Sequence, residues 1–561
     1  MVTKSRLALA AACAATLAFA PAASANGVND SPRDPDAKRF VGNVSVSSIV
    51  KHQIELQKIA SLNGDTREVF SPGYTASLNY VVNTLKAAGY SPKVTQFNYP
   101  FWTEAKPAVL NWNNGTPPKS YKPGTAADDG SPNVDFITMA NSPTKEIVNT
   151  AVVPASNVVD PPVGGSASGC EVADYPAAVV GKVALVQRGT CAFVQKWAAA
   201  EDAGAVGVII YNEGNTPARQ TPIFVDNQID ATIPAVISSY SLGNDLLQAY
   251  KAGNNPRVDF KVYGQFNDRF LPQVIAETKE GDKNNVVVVG AHLDSVPAGP
   301  GINDDGSGTS WQLELGEQIS KLGTPPRNKI RLMWFGGEED GLVGSQYYAA
   351  HLSPAEADKI MVMIDTDMIA SPNYARFIYD GNGDDEAGNP AGPAGSDVVE
   401  GVFKRYFAEQ GMATLPTAFD GRSDYVGFIN RGIPAGGIFA GAEVPKTPEQ
   451  VAVFGGVAGE QYDPCYHEAC DTIDTVTGQP PADTMNVFET DPVLAQTQAD
   501  ALQGNALKSL SEMSGAVTHA VWYFARVKDT LPPRAATARA ASTKTKRYRF
   551  KYQGHPDART R

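Results

Sequence analysis

The chain has 561 residues, 42% of them hydrophobic, and a formal net charge of -13. That length suits more than one core, and two domains are expected. The acidic balance argues against nucleic acid or an anionic membrane as the main partner, and after the N-terminal leader no stretch reaches the roughly 18 apolar residues of a membrane span.

Lys4 and Arg6 precede an apolar run from Leu7 to Pro21, and Ala23-Ser24-Ala25 has the small-x-small form of a signal-peptidase site. Residues 1–25 therefore read as a secretory signal, and the mature protein as extracellular. Export removes two positive charges and takes the net to -15. The tail 533–561 holds nine Lys and Arg against one Asp, so the body without it stands near -23. Cys13 leaves with the signal; Cys170, Cys191, Cys465 and Cys470 remain. An even number in an exported chain points to two disulfides. The pairs nearest in sequence are Cys170–Cys191 and Cys465–Cys470, although four cysteines allow three connectivities.

Two helices open the mature chain, from Ser47 to Ser61 and from near Thr75 to the stop at Ala88-Gly89. A short strand follows over Val94 to Tyr99, and residues 104–130, rich in Pro, Gly, Asn and Lys, read as loop. Residues 26–134 are taken as N-terminal helices and linker. The segment 135–265 is dense in short valine runs: Val148 to Val153, Ala178 to Val180, Val183 to Val186 and Val206 to Tyr211. An alanine-rich helix, Phe193 to Ala203, lies between the last two. That grammar fits a small α/β or open-barrel domain with no histidine and scattered acids, so chemistry is not expected there.

From 266 to 532 the elements lengthen. Val286 to Val289 and Ile330 to Phe335 read as central parallel strands, Lys359 to Ile364 as another, and Trp311 to Leu322, Asp397 to Gly411 and Ala499 to Arg526 as helices. The fold class is α/β, a three-layer domain that binds ligands outside the carboxyl ends of its strands, with a second, smaller domain. The tail 533–561 lacks an apolar face and reads as disordered when free.

Acids and imidazoles fall at those strand ends. His292 and Asp294 follow one strand, Glu338 and Glu339 follow another after Gly336-Gly337, and Asp367 follows a third. Asp304 sits on a Gly-rich loop twelve residues past His292, and His467 lies two past Cys465. Neutral imidazole and ionised carboxylate suit zinc. Two dications about 4 Å apart need an anionic bridge, which Asp304 can supply. A member of Glu338-Glu339 free of metal can act as base, and Asp294 can accept the far ring N–H of His292. Singly, each motif has a plainer reading: a packed His292, a solvated acidic turn at 338–340, or a helix cap or calcium loop at 304–305. His52, His351, His519 and His555 have no such neighbours and are read as packing or surface.

Taken together, the blocks GAHLDSV (290–296), GPGINDDGSG (299–308), FGGEEDGLVGS (335–345), DMIASPN (367–373), FDGRSDY (419–425), GIPAGGIFAGAE (432–443) and CYHEACD (465–471) resemble the M28 family of zinc aminopeptidases. The block 181–212, GKVALVQRGTCAFVQKWAAAEDAGAVGVIIYN, is similar to the core of a protease-associated (PA) domain. The likeness runs from about Ser47 to Arg526. It implies a mixed eight-stranded sheet between helices, interrupted by the PA domain at 135–265. It also implies two zinc ions, one on His292 and Asp367, the other on Glu339 and His467, with Asp304 bridging. Glu338 is the implied general base and Tyr466 the oxyanion donor. Arg422 would position Asp367 or the substrate, and Met368 and Phe439 would line an apolar pocket for a leucine-like first residue. The two acids Asp304 and Asp305, where relatives often have Asp-Asn, leave open an exchange of ligand duty. A Cys465–Cys470 bridge would clamp Tyr466 and His467.

The implied substrates are peptides with a free N-terminus. Calcium is left open as a further ion with no ligands named, and the PA domain's partner is not identified. The basic tail has two readings, a solvated extension or a pro-segment that lies on the acidic body as an intramolecular inhibitor. Competing functions are a di-zinc carboxypeptidase or aminoacylase-like amidohydrolase, and a binding protein on an inactive scaffold, which would show broken ligands.

Overall fold

A computed structural model describes residues 35–528 and 531, apart from 129, 162, 216–218, 226–230, 386–388 and 489. The leader 1–25 and the tail 533–561 lie outside the described residues, as does His555. No helix among the described residues is long and apolar enough to cross a membrane.

One sheet has eight strands, in the spatial order Lys93–Glu104, Gly264–Glu277, Asn328–Phe335, Asp282–His292, Ile360–Thr366, Ala435–Phe439, Phe377–Tyr379 and Leu415–Thr417. The third to sixth are mutually parallel. They are central because their side chains are apolar on both faces. Val287 and Val289 enter a core with helices Gly306–Lys321 and Asn505–Arg526, while Val286 and Val288 enter the opposite core with helix Tyr425–Ile429. Each such side chain, fully buried, contributes about 1.5–3 kcal/mol.

The helices before the insert join the same core. Ser45 caps helix Val46–Ser61 and Ser71 caps helix Pro72–Ala87, which begins with proline at its first position. Ile49, Leu56 and Ala60 are buried, but Ile54, counted in the apolar face from sequence, is exposed. His52 is buried and hydrogen-bonded through Nδ1 to Tyr80 at 2.7 Å, a packing role.

The chain leaves this sheet through strand Lys93–Glu104 and returns through its antiparallel partner Gly264–Glu277, paired from Lys93↔Ile275 to Glu104↔Gly264. Beyond that ribbon lies a nine-stranded sheet, whose middle strands Lys145–Pro154, Val183–Gln187, Gly207–Tyr211 and Ala235–Ser238 run parallel. Helices Phe193–Asp202 and Tyr240–Lys251 pack on it.

Two differences from the sequence expectation have physical reasons. Strands Val109–Trp112, Lys119–Tyr121 and Pro123–Gly124 lie inside the stretch read as loop, so the second sheet begins well before residue 135. Strands of two to four residues carry no readable period, and their pairing comes from distant partners. The valine run Ala178 to Val180, not assigned an element from sequence, is largely a 3-10 turn, Ala177–Val179. The helix expected over 499–526 is two, Pro492–Ala501 and Asn505–Arg526, separated at Gly504, whose φ of 74° breaks helical geometry.

Candidate metal centre

Because the four central strands run parallel, their carboxyl ends share one rim. His292 is the last residue of its strand and pairs with Phe335, the last of the next. Past Phe335, Gly336 and Gly337 turn the chain. A Cβ on Gly336 would lie 2.1 Å from the Tyr74 hydroxyl, and Gly337 has a φ of 75°. Asp294 then receives N–H bonds on its carboxylate from Gly337 at 2.9 Å, Glu338 at 3.4 Å and Glu339 at 3.2 Å. The carbonyl oxygen of Asp294 meets His292 Nδ1 at 3.1 Å, and its carboxylate Oδ1 stands 3.9 Å from the same nitrogen while holding the acidic turn.

Asp304 lies between the two histidines. Its Oδ1 is 3.1 Å from His292 Nε2, and its Oδ2 is 3.2 Å from His467 Nε2. On the first side Asp367 Oδ1 stands 3.6 Å from His292 Nε2; on the second, Glu339 Oε2 stands 3.1 Å from His467 Nε2. His292, Asp304 and Asp367 thus form one group with potential ligand atoms within 4.8 Å of one another, and Asp304, Glu339 and His467 a second. Glu338 belongs to neither. Asp305 points elsewhere: it caps helix Gly306–Lys321 through Gly308 N–H at 2.8 Å and accepts backbone N–H from His292 and Met368. The peptide between Asp304 and Asp305 is cis.

Several residues not singled out from sequence fix these groups. Arg67 is fully buried, and its guanidinium donates to the carbonyls of Leu293, Pro300 (2.7 Å) and Gly301 (2.6 Å). It therefore pins both ends of the loop between Asp294 and Asp304. Asp471 accepts the N–H groups of Asn303 at 2.7 Å and Asp304 at 2.9 Å. Asp471 follows Cys470, which is bonded to Cys465, so the bridge encloses Tyr466 and His467 and ends beside the residue that seats Asp304. Cys170 and Cys191 are bonded in the second domain.

Asp367 Oδ2 accepts from the Ser423 hydroxyl at 2.8 Å. Arg422, expected to position Asp367 or the substrate, makes a bidentate pair with Glu443 at 2.9 and 3.1 Å and donates to the Tyr466 hydroxyl at 3.1 Å. Arg422's planar fork matches the Glu443 carboxylate, and two parallel charge-assisted bonds fix its orientation. Met368 is buried at a φ of 52°. Phe439, half-buried, ends the neighbouring strand and packs on Phe377 at 6.0 Å between ring centres.

The electrostatics follow from crowding. Burial, with Asp367, Glu339 and Asp424 nearby, pushes the Glu338 carboxyl well above the ordinary glutamate value, against His292. Burial opposes ionisation of Asp304 too, but hydrogen bonds from His292 and His467 hold it well below the usual carboxylate range. Burial would lower His467, yet Glu339 and Asp304 lift it to about 9. So many buried acids are costly unless cations share the site.

A third acidic group, Asp380, Asp384 and Asp385, lies in a loop, away from these strand ends. Asp380 accepts from Gly383, Asp385 and Asn389, and Asp385 pairs with Lys404 at 2.6 Å, so calcium gains no support there.

The model of peptidase family M28 matches residues 273–488, and that of the PA domain residues 150–246. An aminopeptidase of Pseudomonas aeruginosa is 41% identical over 440 residues, 77% of each chain. Leucine aminopeptidase 2 of Arthroderma otae is 38% identical, over 75% of this chain and 78% of its own. Among solved structures, an aminopeptidase from Aneurinibacillus sp. strain AM-1 superposes with a TM-score of 0.61 at 23% identity, covering 89% of this chain and 98% of its own.

Proposed function

Because the chain belongs to peptidase family M28, we propose that it is a secreted two-zinc aminopeptidase that removes leucine-like residues from the free N-terminus of peptides. The observation that carries this reading is Asp304, whose two oxygens face different imidazoles and so join two donor groups. His292 and Asp367 would hold one zinc, Glu339 and His467 the other, with Asp304 between them. The donors are nitrogen and oxygen only, as zinc accepts. Glu339 Oε1 and Asp367 Oδ1 are buried without a hydrogen-bond partner, which a cation would satisfy.

Bound there, zinc supplies a Lewis acid for the scissile carbonyl and makes water acidic enough to attack near neutral pH. The chain's own groups do the rest. Glu338, outside both donor groups and with a raised proton affinity, takes the proton of the attacking water and passes it to the leaving amine. Tyr466, oriented by Arg422 and Glu443, donates its hydroxyl to the developing oxyanion. Met368 and Phe439 receive the first side chain. A methylene there is worth about 1–3 kcal/mol, so the preference is graded. The name of the fungal relative agrees with leucine.

Hydrolysis of leucine p-nitroanilide against its N-blocked counterpart tests the reading. Turnover of the free amine alone supports it; equal turnover of the blocked compound points to an amidohydrolase instead.

Two bonded disulfides fit an oxidising compartment and support export. The basic tail would act as an intramolecular inhibitor on an acidic body. A chain ending near Asp529 should then be more active than the full chain, and identical kinetics at low and saturating substrate would leave the tail a solvated extension.

A further inference from the structure

A cavity of about 500 Å³ lies in the seam between the two domains, and it reaches the candidate metal centre. Its inner wall includes Glu339, one of the clustered acids, together with Ser295 and Asp340 from the two strand-end loops. The outer strand of the connecting ribbon supplies Tyr99, Phe101 and Trp102, and the inserted domain supplies Phe224. The size falls within the range of pockets that enclose a small ligand, about 300–1,000 Å³.

We propose that this seam binds the second and third residues of a peptide substrate and favours aromatic or apolar side chains there. The inference rests on the aminopeptidase reading and extends it to the part of the substrate that is not released. Three observations carry it. The cavity meets the centre at Glu339, whereas Asp367 and Met368, on the other flank, do not line it. It also runs outward past Ala105, Lys106 and Pro107, which are exposed. A subsite for the first residue can be closed, since no chain precedes it, but a subsite for later residues must stay open to let the chain continue. Its aromatic walls come from both domains, and aromatic side chains give large contact area with preferred ring geometry.

The seam is mechanically fixed. Trp102 Nε1 donates to Ser142 O at 2.9 Å, and the Thr138 hydroxyl donates to Glu104 at 2.6 Å, tying ribbon to inserted domain on the cavity wall. The inserted domain thereby gains a role in selecting substrates, though no histidine lies within its sheet.

The test uses the full chain and four substrates: leucine p-nitroanilide, alanine p-nitroanilide, Leu-Gly-Gly and Leu-Phe-Phe. The wild type should favour Leu-Phe-Phe over Leu-Gly-Gly in kcat/KM by about tenfold or more. Phe224→Ala and Phe101→Ala should each cut that ratio severalfold. Ratios within one preparation cancel any loss of folded protein. A wild-type ratio near one, or a ratio untouched by both substitutions, overturns the proposal. So does a shift in the preference for leucine over alanine p-nitroanilide, which would place the first side chain in the seam. Failure of the wild type to cut leucine p-nitroanilide at all would instead overturn the aminopeptidase reading, and the seam's role with it.

Discussion

Each domain buries a cation on backbone carbonyls, and the two are used differently. In the peptidase unit Arg67 donates to Leu293, Pro300 and Gly301, with Asp294, Asp304, Asp305 and Asp471 around it. In the inserted domain Lys196 donates to Ser168 O at 2.6 Å, with Glu213 and Asp174 as the nearby acids. Arg67 fixes a loop whose ends carry Asp294 and Asp304. Lys196 fixes a loop that carries Cys170, whose sulfur is 3.7 Å away. The same device thus secures chemistry in one domain and a covalent staple in the other.

The sharpest way to break this contrast is to remove one acid from each side. Glu338→Gln should lower kcat by about 10²–10⁴-fold, the range for a lost general acid–base, while bound metal per chain stays constant. Glu213→Gln neutralises an acid that accepts the N–H groups of Gly165 and Ser166. It should leave kcat within about twofold, because hydrogen-bonding capacity survives and no donor group is touched. A comparable loss in both would end the division of labour. Steady-state kinetics with metal analysis reads the difference.

Next in size are the cations themselves. Arg67→Met leaves three carbonyls and a ring of acids uncompensated, and should cost about 3–5 kcal/mol together with metal retention after mild chelation. Lys196→Met loses its buried hydrogen bond to the Ser168 carbonyl and a weaker one to the Cys170 sulfur, about 1–3 kcal/mol, with metal retention intact. Denaturant unfolding and metal content decide. Equal metal loss would show that the second domain also shapes the centre.

Sequence made the centre's own groups visible and left its supports hidden, for a physical reason. His292, Glu338, Glu339 and Asp367 stand where hydrophobic strands end, so periodicity alone located the rim. Arg67 lies in an aperiodic stretch between two helices, about 230 residues before the carbonyls it holds. Nothing local distinguishes it from a solvated arginine. Asp294 lies two residues past His292, but which of its oxygens comes nearer the ring depends on the turn at Gly336-Gly337, which packs against Tyr74 of a distant helix. Arg422 and Ser423 are neighbours in one motif, and only the local fold decides that serine faces Asp367 while arginine faces Glu443. Strand Val109–Trp112 pairs with Arg257–Val262 across most of the insert, and its short neighbours carry no readable period, which is why the second sheet's early strands were invisible.

The disulfides sharpen the comparison by reversing the order of two effects. Cys465 and Cys470 are 5 residues apart, Cys170 and Cys191 are 21. The chain-entropy model gives about 2 kcal/mol for the short loop and about 3 for the long one. Replacing Cys170 and Cys191 with serine should therefore destabilise more. Replacing Cys465 and Cys470 should reduce activity and metal affinity more, since that loop carries His467 and ends at Asp471. Thermal melts ranked against kcat/KM would expose the crossover, and one shared ranking would refute a positional role for the short bridge.

The smallest effect, counted per pH unit, is a pH dependence with one sign in both domains. Burial, with Arg376 and Lys508 nearby, lowers Lys446 to about 7, and its ammonium donates to the carbonyls of Asn373 and Tyr374. Burial lowers Lys196 to about 8 against the pull of Glu213 and Asp174. The unfolded chain keeps each proton up to the ordinary lysine value near 10.5. Between the folded and unfolded values the unfolded state binds more protons, so stability rises with pH, by at most about 1.4 kcal/mol per unit for each group. Lys446→Met should remove a rise that begins near pH 7, and Lys196→Met one that begins near pH 8. Each is read as the difference between variant and wild-type unfolding curves, which cancels the other titrations. A difference that falls as pH climbs would mean that each ammonium is stabilised by its carbonyls more than burial penalises it.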